Sequence, residues 1–193
     1  MNLPIHAERP GKLTHAQTIL YEIDMLRLAA DDLTQESEWN SWRNLECFLL
    51  HFRNLIEFFG KPISRDSDTL SIRRPEKIWE QPETQPSNEQ LSRLRCEDLW
   101  NKYEERRKGE INDKISRYLK HCTEQRVVDK RWNVGEMFEE IRSVIAEFEK
   151  LLPNKHRPWG ELPRALLHSC PTLRPLQRGS KSDFQIELPG SFL

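Results

Sequence analysis

The stretch Trp42–Phe59, WRNLECFLLHFRNLIEFF, decides the fold of this chain. Its apolar residues recur every three or four positions, which is the period of an α-helix that buries one face. Two polar residues, His51 and Asn54, lie on the flank of that apolar face. Polar groups that leave water must find hydrogen-bond partners inside the protein, so we expect any unusual chemistry to lie near this helix.

A helical wheel separates the residues of this stretch into two faces. His51 and Asn54 lie beside the apolar arc, so both are expected to be interior or half-buried. Arg53 and Glu57 lie on the opposite face, where we expect Arg53 to be exposed to solvent and to pair with Glu57 at i,i+4. The centre of the apolar arc consists of Leu45, Leu49, Phe52, Ile56 and Phe59.

The composition is that of a soluble protein with a single domain. The chain has 193 residues, of which 36% are hydrophobic and 32% charged, and its formal net charge is −1. No apolar run approaches the roughly 20 residues that a membrane-spanning helix needs. The N-terminus lacks the apolar segment of a secretory signal, and the four cysteines form no CxxC pair. We therefore expect a cytoplasmic protein with reduced thiols and no contact with a membrane.

Capping residues and apolar periodicity together predict about five helices. Strand signals are nearly absent, and residues 60–86 form a proline-rich connection without sustained periodicity. The sequence therefore predicts an all-α helical bundle over residues 12–152, followed by an irregular, Pro-rich and basic tail over residues 153–193. The capping pairs that mark helix starts are Thr14 with Gln17, Ser87 with Gln90, and Asn133 with Glu136. The predicted helices span about 14–33, from a start within 37–41 to 60, 87–109, 110–125 and 133–152.

The tail has two features that bear on partners. Residues 153–181 hold six basic residues against one acidic residue, a charge balance that suits phosphates but more often belongs to a solvated surface. The end of the chain alternates Phe184, Ile186 and Leu188 with polar residues. Such a segment can add a strand to a partner's sheet or fill an apolar groove. The tail is therefore the predicted contact for a protein partner.

The predicted helix over residues 110–125 brings a second histidine towards the apolar core. His121 lies at the edge of the inward stripe, and Arg117 lies one turn before it on the same flank. If the helix continues, Arg126 returns to the apolar face. One interpretation is a hydrogen-bonded cluster in which His51, Asn54 and His121 satisfy one another. A second is a site where a histidine performs acid–base chemistry while an arginine neutralises a phosphate.

A metal site is the third interpretation of these residues. Cys47 and His51 have the i,i+4 spacing of two ligands on one helix face. His121 and Cys122 are nearby candidates, but adjacent residues on a helix point about 100° apart and do not easily bind one ion. Since no other metal-binding or cofactor-binding motif is present, we expect no metal and no cofactor.

Two segments resemble a group of short, uncharacterised bacterial helical proteins. LLHFRNLIEFF at Leu49–Phe59 resembles their LLHxRNLxxFF helix, and ISRYLKHCTEQR at Ile115–Arg126 resembles their later HxTxxR helix. These proteins usually continue with a Trp and a final amphipathic helix, an order that Trp132 and Asn133–Leu152 follow here. The resemblance covers about two dozen residues in motif and implies a helical fold without an assigned activity.

More broadly, the chain looks like HEPN-like helical domains, which are small bundles that often dimerise and include RNA-cutting toxins and defence nucleases. Their site pairs an arginine, usually followed by a polar residue, with a histidine a few residues further on. Arg117 and His121 are the nearest match, while the pair Arg53–Asn54 is followed by phenylalanines at the histidine positions. The resemblance implies that His121 acts as the acid–base residue and that Arg117 or Arg126 holds the scissile phosphate.

These observations lead to two hypotheses about function. The first is a HEPN-like protein of a bacterial defence, toxin–antitoxin or stress system, in which a homodimer cleaves RNA without a metal by using the 2′-hydroxyl of the RNA as nucleophile. The second is a non-catalytic helical module that binds a protein partner through the tail or the 60–86 connection. Complete burial and internal hydrogen bonding of both histidines would favour the second hypothesis.

Overall fold

The computed structural model describes residues 13–33, 38–62, 70–104, 115–120 and 132–159. These residues contain helices, turns and irregular segments but no β-strand. The all-α prediction is therefore confirmed for the described part of the chain. The α-helices are α1 (His15–Asp32), α2 (Glu38–Gly60), α3 (Asn88–Arg93), α4 (Glu97–Tyr103), α5 (Ile115–Lys120) and α6 (Val134–Leu151).

Side-chain caps define three of the helix starts, as the sequence predicts. Thr14 and Gln17 form a capping box at the start of α1, in which each side chain accepts the other residue's backbone N–H. Ser87 and Gln90 form the equivalent box before α3. At the start of α6, the Asn133 side chain accepts the backbone N–H of Glu136 at 3.1 Å. These bonds satisfy donors that an uncapped helix would leave exposed.

Helix α2 is the central element of the bundle, and it contacts α1, α4, α5 and α6. The side chains predicted to form its apolar arc are all buried, and Phe48, Leu55 and Phe58 are buried with them. Burial of an aliphatic or aromatic side chain contributes roughly 1.5–3 kcal/mol each. The apolar arc of α2 is therefore the main source of stabilisation in this fold.

An aromatic cluster joins the end of α2 to α6 and to the proline-rich connection. Phe58 and Phe59 each pack edge-to-face on Phe148 of α6, with ring centroids 5.6 and 5.4 Å apart. Trp79 of the connection packs on the same Phe148 ring and is only 1% exposed. Its indole N–H donates to the carbonyl of Leu151 at the end of α6. Part of the connection is thus built into the core, between two 3-10 helices, Pro75–Lys77 and Pro82–Thr84.

The prediction of a single continuous helix over residues 87–109 is wrong. The segment consists of α3 and α4, separated by Leu94–Cys96, and α4 ends at Tyr103. The interruption lets the Cys96 backbone N–H donate to the carbonyl of Phe59. A continuous helix would carry this segment away from the end of α2. Of the predicted helix over 110–125, the structure describes α5 alone.

Gly60 allows this close approach of the two segments. A Cβ atom on residue 60 would lie 2.5 Å from the Cys96 carbonyl oxygen and 2.9 Å from Cβ of Trp100. Backbone atoms cannot move away as a flexible side chain can. The position therefore requires glycine because of close packing.

We expect the substitution Gly60→Ala to lower the free energy of unfolding by about 1–3 kcal/mol, because the added methyl group overlaps the backbone at Cys96. Chemical denaturation followed by circular dichroism measures this change. The matched control is Gly135→Ala in the half-exposed first turn of α6. There alanine should be neutral or stabilising by up to about 1 kcal/mol. Equal stability of Gly60→Ala and the wild-type chain would contradict the packing argument.

Candidate functional site

The residues predicted as a site fall into two groups in the structure. His51, Arg53 and Asn54 lie on α2 and are described with their side chains. Arg117 lies within α5, but only its backbone is described. His121 and Arg126 lie outside the described residues, so the proposed acid–base site stays a prediction.

His51 and Asn54 share one carboxylate from the neighbouring helix. The Nδ1 atom of His51 lies 2.7 Å from Oε2 of Glu22 on α1, and Nδ2 of Asn54 donates to the same oxygen at 3.0 Å. His51 is buried and Asn54 is half-buried, as predicted. Since an ionised carboxylate only accepts hydrogen bonds, Nδ1 of His51 must carry the proton.

The partner of these two groups is thus Glu22, whereas the sequence pattern had suggested His121. The apolar stripe of α1 runs through Ile19, Ile23 and Leu26, and on a helical wheel Glu22 borders that stripe. A wheel for α1 would have identified an acidic residue at the border of its apolar face, although not the helix that it contacts. We refer to Glu22, His51, Asn54 and Cys47 as the Glu22 cluster.

The Glu22 cluster favours the charged form of the histidine. Burial by itself lowers the pKa of His51, but hydrogen bonds to Cys47 and Glu22 and the negative charge of Glu22 outweigh it and raise that pKa to about 9. The ring also packs edge-to-face on Tyr21, with centroids 5.9 Å apart. His51 therefore forms a buried ion pair with Glu22 at neutral pH.

This ion pair should make the free energy of unfolding decrease as the pH rises. The pKa of His51 rises from an ordinary value of 6.5 to about 9 in the folded state. Its contribution is therefore complete below about pH 6.5 and is lost as the pH rises through about 9. Between about pH 6 and about pH 9.5, we expect the free energy of unfolding of the wild type to fall. In His51→Gln the fall should be smaller by on the order of 2 kcal/mol.

Urea denaturation of both chains at the two pH values measures this difference. The matched control is His156→Gln, which changes an exposed histidine outside the Glu22 cluster. That variant should keep the wild-type pH dependence. If His51→Gln shows the same pH dependence as the wild type, His51 does not carry the effect.

The expectation that Arg53 is exposed is wrong. Its side chain is only 17% exposed, because α5 and the end of α4 cover this face of α2. A wheel for one helix carries no information about which neighbours cover its polar side. The predicted pair with Glu57 is confirmed at 3.0 Å. Arg53 also donates to Ser116 Oγ and lies 3.7 Å from Glu104.

These contacts hold the start of α5. Glu104 is buried, and its Oε1 atom accepts the backbone N–H of Ser116 at 2.8 Å. Arg53 in turn donates to Asn54 Oδ1 at 3.3 Å. A continuous chain of hydrogen bonds therefore runs from Glu22 through Asn54 and Arg53 to the helix that carries Arg117.

A second buried charge cluster joins α1, α6 and the residues after Pro153. Asp24 is only 2% exposed, and its carboxylate accepts two hydrogen bonds from Arg157, at 2.6 and 3.2 Å. The indole N–H of Trp159 donates to the same carboxylate at 3.0 Å. Glu149 of α6 binds both Arg157 and Arg27. We call these five residues the Asp24 cluster.

The Asp24 cluster changes how the basic tail is interpreted. Arg157 counts among the six basic residues after Pro153, yet its charge is neutralised inside the protein. Hydrogen bonds from Arg27 and Arg157, together with their charges, outweigh burial and lower the pKa of Glu149. The segment up to Trp159 therefore packs on the bundle. Asp24 is the residue in the sequence that signals this contact. It lies next to the buried Ile23, and a buried carboxylate requires a partner.

Removal of Arg157 should be costly because it leaves the Asp24 carboxylate buried with fewer donors. We expect Arg157→Ala to lower the free energy of unfolding by about 3 kcal/mol. The control Arg142→Ala removes a pair with Glu139 on the exposed face of α6. That change should cost no more than about 0.5 kcal/mol.

Chemical denaturation compares the two variants, and the double variant Asp24→Asn with Arg157→Ala tests the cause. If an uncompensated carboxylate is responsible, the amide should recover part of the lost stability. Equal stability of Arg157→Ala and Arg142→Ala would contradict the assignment of a stabilising role to this cluster.

Within the described ranges, no three His, Cys, Asp or Glu side chains are arranged so that they could hold a metal ion. Cys47 and His51 thus lack a third ligand among these residues. A search of the same residues finds no helix long and apolar enough to cross a membrane.

The fold and the two clusters define a class of protein, an all-α bundle with buried charged side chains. Comparisons of the chain with protein-family models, curated proteins and solved structures give no match. The resemblance to HEPN-like domains therefore stays a prediction that depends on the helical bundle and on the pair Arg117 and His121.

Proposed function

We propose that this chain is a HEPN-like protein of a bacterial defence, toxin–antitoxin or stress system, and that it cleaves RNA without a metal. In this proposal His121 is the acid–base residue, and Arg117 or Arg126 holds the scissile phosphate. Two copies of the chain would form a homodimer that brings two such sites together. The quoted motifs and the position of α5 support this proposal.

The supporting observation is the way in which the bundle holds the start of α5. Ile115 is fully buried, and the backbone N–H of Ser116 is bound by Glu104. Arg53 binds the Ser116 side chain from α2. Arg117 follows this anchor directly, and His121 comes next in the sequence after Lys120, the last residue of α5 that the structure describes. An arginine and a histidine that must act on one phosphate benefit from attachment to a rigid element.

The chemistry would be an in-line transfer within the RNA. His121 would remove the proton from a 2′-hydroxyl as that oxygen attacks the adjacent phosphorus, while an arginine stabilises the negative charge that develops on the phosphate. The bond to the 5′-oxygen breaks, and that oxygen takes up a proton. The products are a 2′,3′-cyclic phosphate and a 5′-hydroxyl. DNA lacks the nucleophile and should not be cleaved.

A cleavage assay with EDTA present tests this proposal. The wild-type chain should cleave single-stranded RNA, but should leave DNA of the same sequence intact. His121→Ala should lower the rate by at least about 100-fold, the usual scale for loss of an acid–base residue. Arg117→Ala and Arg126→Ala should identify which arginine holds the phosphate. Arg142→Ala is the control, since Arg142 lies on the exposed face of α6.

Each outcome of the assay has a defined meaning. Activity that is lost in His121→Ala, with unchanged circular dichroism, supports the proposed site. Activity that persists in all three site variants excludes these residues as the site. Cleavage of DNA at the same rate as RNA excludes the 2′-hydroxyl mechanism.

One observation favours the second hypothesis, a non-catalytic module that binds a protein partner. His51, the histidine of the first motif, is buried and bound to Glu22, so it braces the bundle. The contact surface for a partner would be the tail, because the described part of the 60–86 connection packs its buried Ile72, Ile78 and Trp79 into the core. Complete absence of RNA cleavage by the folded wild-type chain is the result that this hypothesis predicts.

A further inference from the structure

The residues that follow α6 contact the bundle through two side chains and are otherwise exposed. Residues 153–156 and Pro158 are exposed, whereas Arg157 and Trp159 are half-buried and bind α1 and α6. Buried anchors that alternate with exposed residues are typical of a peptide bound to a protein surface. We call residues 153–159 the strap.

The strap holds part of its conformation by itself. The backbone N–H of His156 donates to Oδ1 of Asn154 at 2.8 Å, and the guanidinium of Arg157 donates to the carbonyl of Lys155 at 3.3 Å. Pro158 has a fixed φ and restricts the backbone of the residue before it. A segment that is ordered before it binds loses less entropy on binding. The strap is therefore suited to bind as a unit.

The bundle supplies a site that matches the two anchors. Asp24 accepts Nε and Nη2 of Arg157 at 2.6 and 3.2 Å, and it accepts the indole N–H of Trp159 at 3.0 Å. Glu149 accepts Nη2 of Arg157 at 2.9 Å. The Trp159 ring packs edge-to-face on Tyr21 of α1, with centroids 5.6 Å apart. The forked contact selects arginine over lysine, and the aromatic contact with an acceptor beside it selects tryptophan. We call Asp24, Glu149 and Tyr21 the strap site.

Side chains rather than backbone atoms hold the strap in place. Gln17 of α1 donates to the carbonyl of His156 at 3.5 Å, which is long for a hydrogen bond. The short contacts are those of Arg157 and Trp159 with Asp24. A strap from any copy of this chain carries the same two side chains at the same spacing, so it fits the same site.

We propose that the strap is exchangeable, so that the strap site of one copy of this chain binds the strap of a second copy in the same geometry. Exchange of an identical element replaces each contact with its equivalent and needs no new one, which makes it a low-cost route to a dimer. Residues 153–156 form the hinge and span about 14 Å when extended. The exchange therefore requires the ends of α6 in the two copies to lie near each other.

This inference rests on one part of the proposed function, the homodimer, and specifies the contact that forms it. It uses none of the residues proposed for RNA cleavage. Measurements of strap binding and of RNA cleavage therefore fail separately.

The first experiment tests recognition between separate molecules. The full-length double variant Arg157→Ala with Trp159→Ala, the strap-deficient chain, keeps the site but loses both anchors. A fluorescein-labelled peptide of residues 153–159, PNKHRPW, should bind it at least about tenfold more tightly than the wild type, whose own strap competes at an effective concentration of about 1 mM. A peptide with lysine in place of the arginine should bind at least about tenfold more weakly, the scale of one dominant contact. Failure of the folded strap-deficient chain to bind the peptide at up to about 1 mM overturns the proposal.

The second experiment uses the wild type and covers the case in which the strap-deficient chain fails to fold. Hydrogen exchange of two indole N–H groups is followed by nuclear magnetic resonance. Trp159 donates to Asp24 of the strap site, whereas the control Trp79 is 1% exposed and donates to Leu151 within the bundle. If the strap detaches while the bundle stays folded, the Trp159 indole should exchange at least about tenfold faster. Equal rates would show that the strap opens only with the bundle and would overturn the proposal.

The third experiment tests the second copy as the source of the strap. The variant Asp24→Asn, the site-deficient chain, keeps its strap but loses the carboxylate that binds both anchors. A mixture of site-deficient and strap-deficient chains should contain a larger dimer fraction in sedimentation velocity than either chain alone at the same total concentration. Addition of Arg142→Gln to both chains is the control, since Arg142 lies on the exposed face of α6, and should leave that excess unchanged. A mixture with no excess of dimer overturns exchange between copies.

Discussion

Helix α2 is enclosed by its neighbours, and this enclosure determines which of its polar side chains need partners inside the protein. Its apolar arc packs on the core, while α1 covers one polar flank and α5 with the end of α4 covers the other. A polar group that loses contact with water needs a partner, at a cost of roughly 1–3 kcal/mol if none is present. His51 and Asn54 therefore bind Glu22, and Arg53 binds Glu57, Glu104 and Ser116.

Apolar burial and buried polar pairs have different roles in this bundle. Burial of each large apolar side chain contributes roughly 1.5–3 kcal/mol, and the core contains more than twenty such residues. A buried ion pair contributes little net stability compared with apolar residues of the same shape, yet loss of one partner costs about 3–5 kcal/mol. The core therefore supplies the stability. The Glu22 and Asp24 clusters select the arrangement in which α1, α2, α6 and the segment up to Trp159 meet.

Several features of the fold could be predicted because they depend on neighbours in sequence. The capping pairs at Thr14, Ser87 and Asn133 and the end of α2 at Gly60 were correct, as was the inward position of Phe52 and Phe59. The burial of His51 followed from the same wheel. The interruption at Leu94–Cys96 could not be predicted, since it reflects the close approach of Cys96 to Gly60, which lies 36 residues earlier in the chain.

The sequence by itself determined the all-α class and the faces of the helices, because helical periodicity and capping are local properties. It also marked the polar residues that would need partners. Only the tertiary structure decided which partners they have: Glu22 for His51, Ser116 and Glu104 for Arg53, and Arg157 for Asp24. These pairs join residues from different elements, and a wheel for a single helix carries no information about which element covers each face.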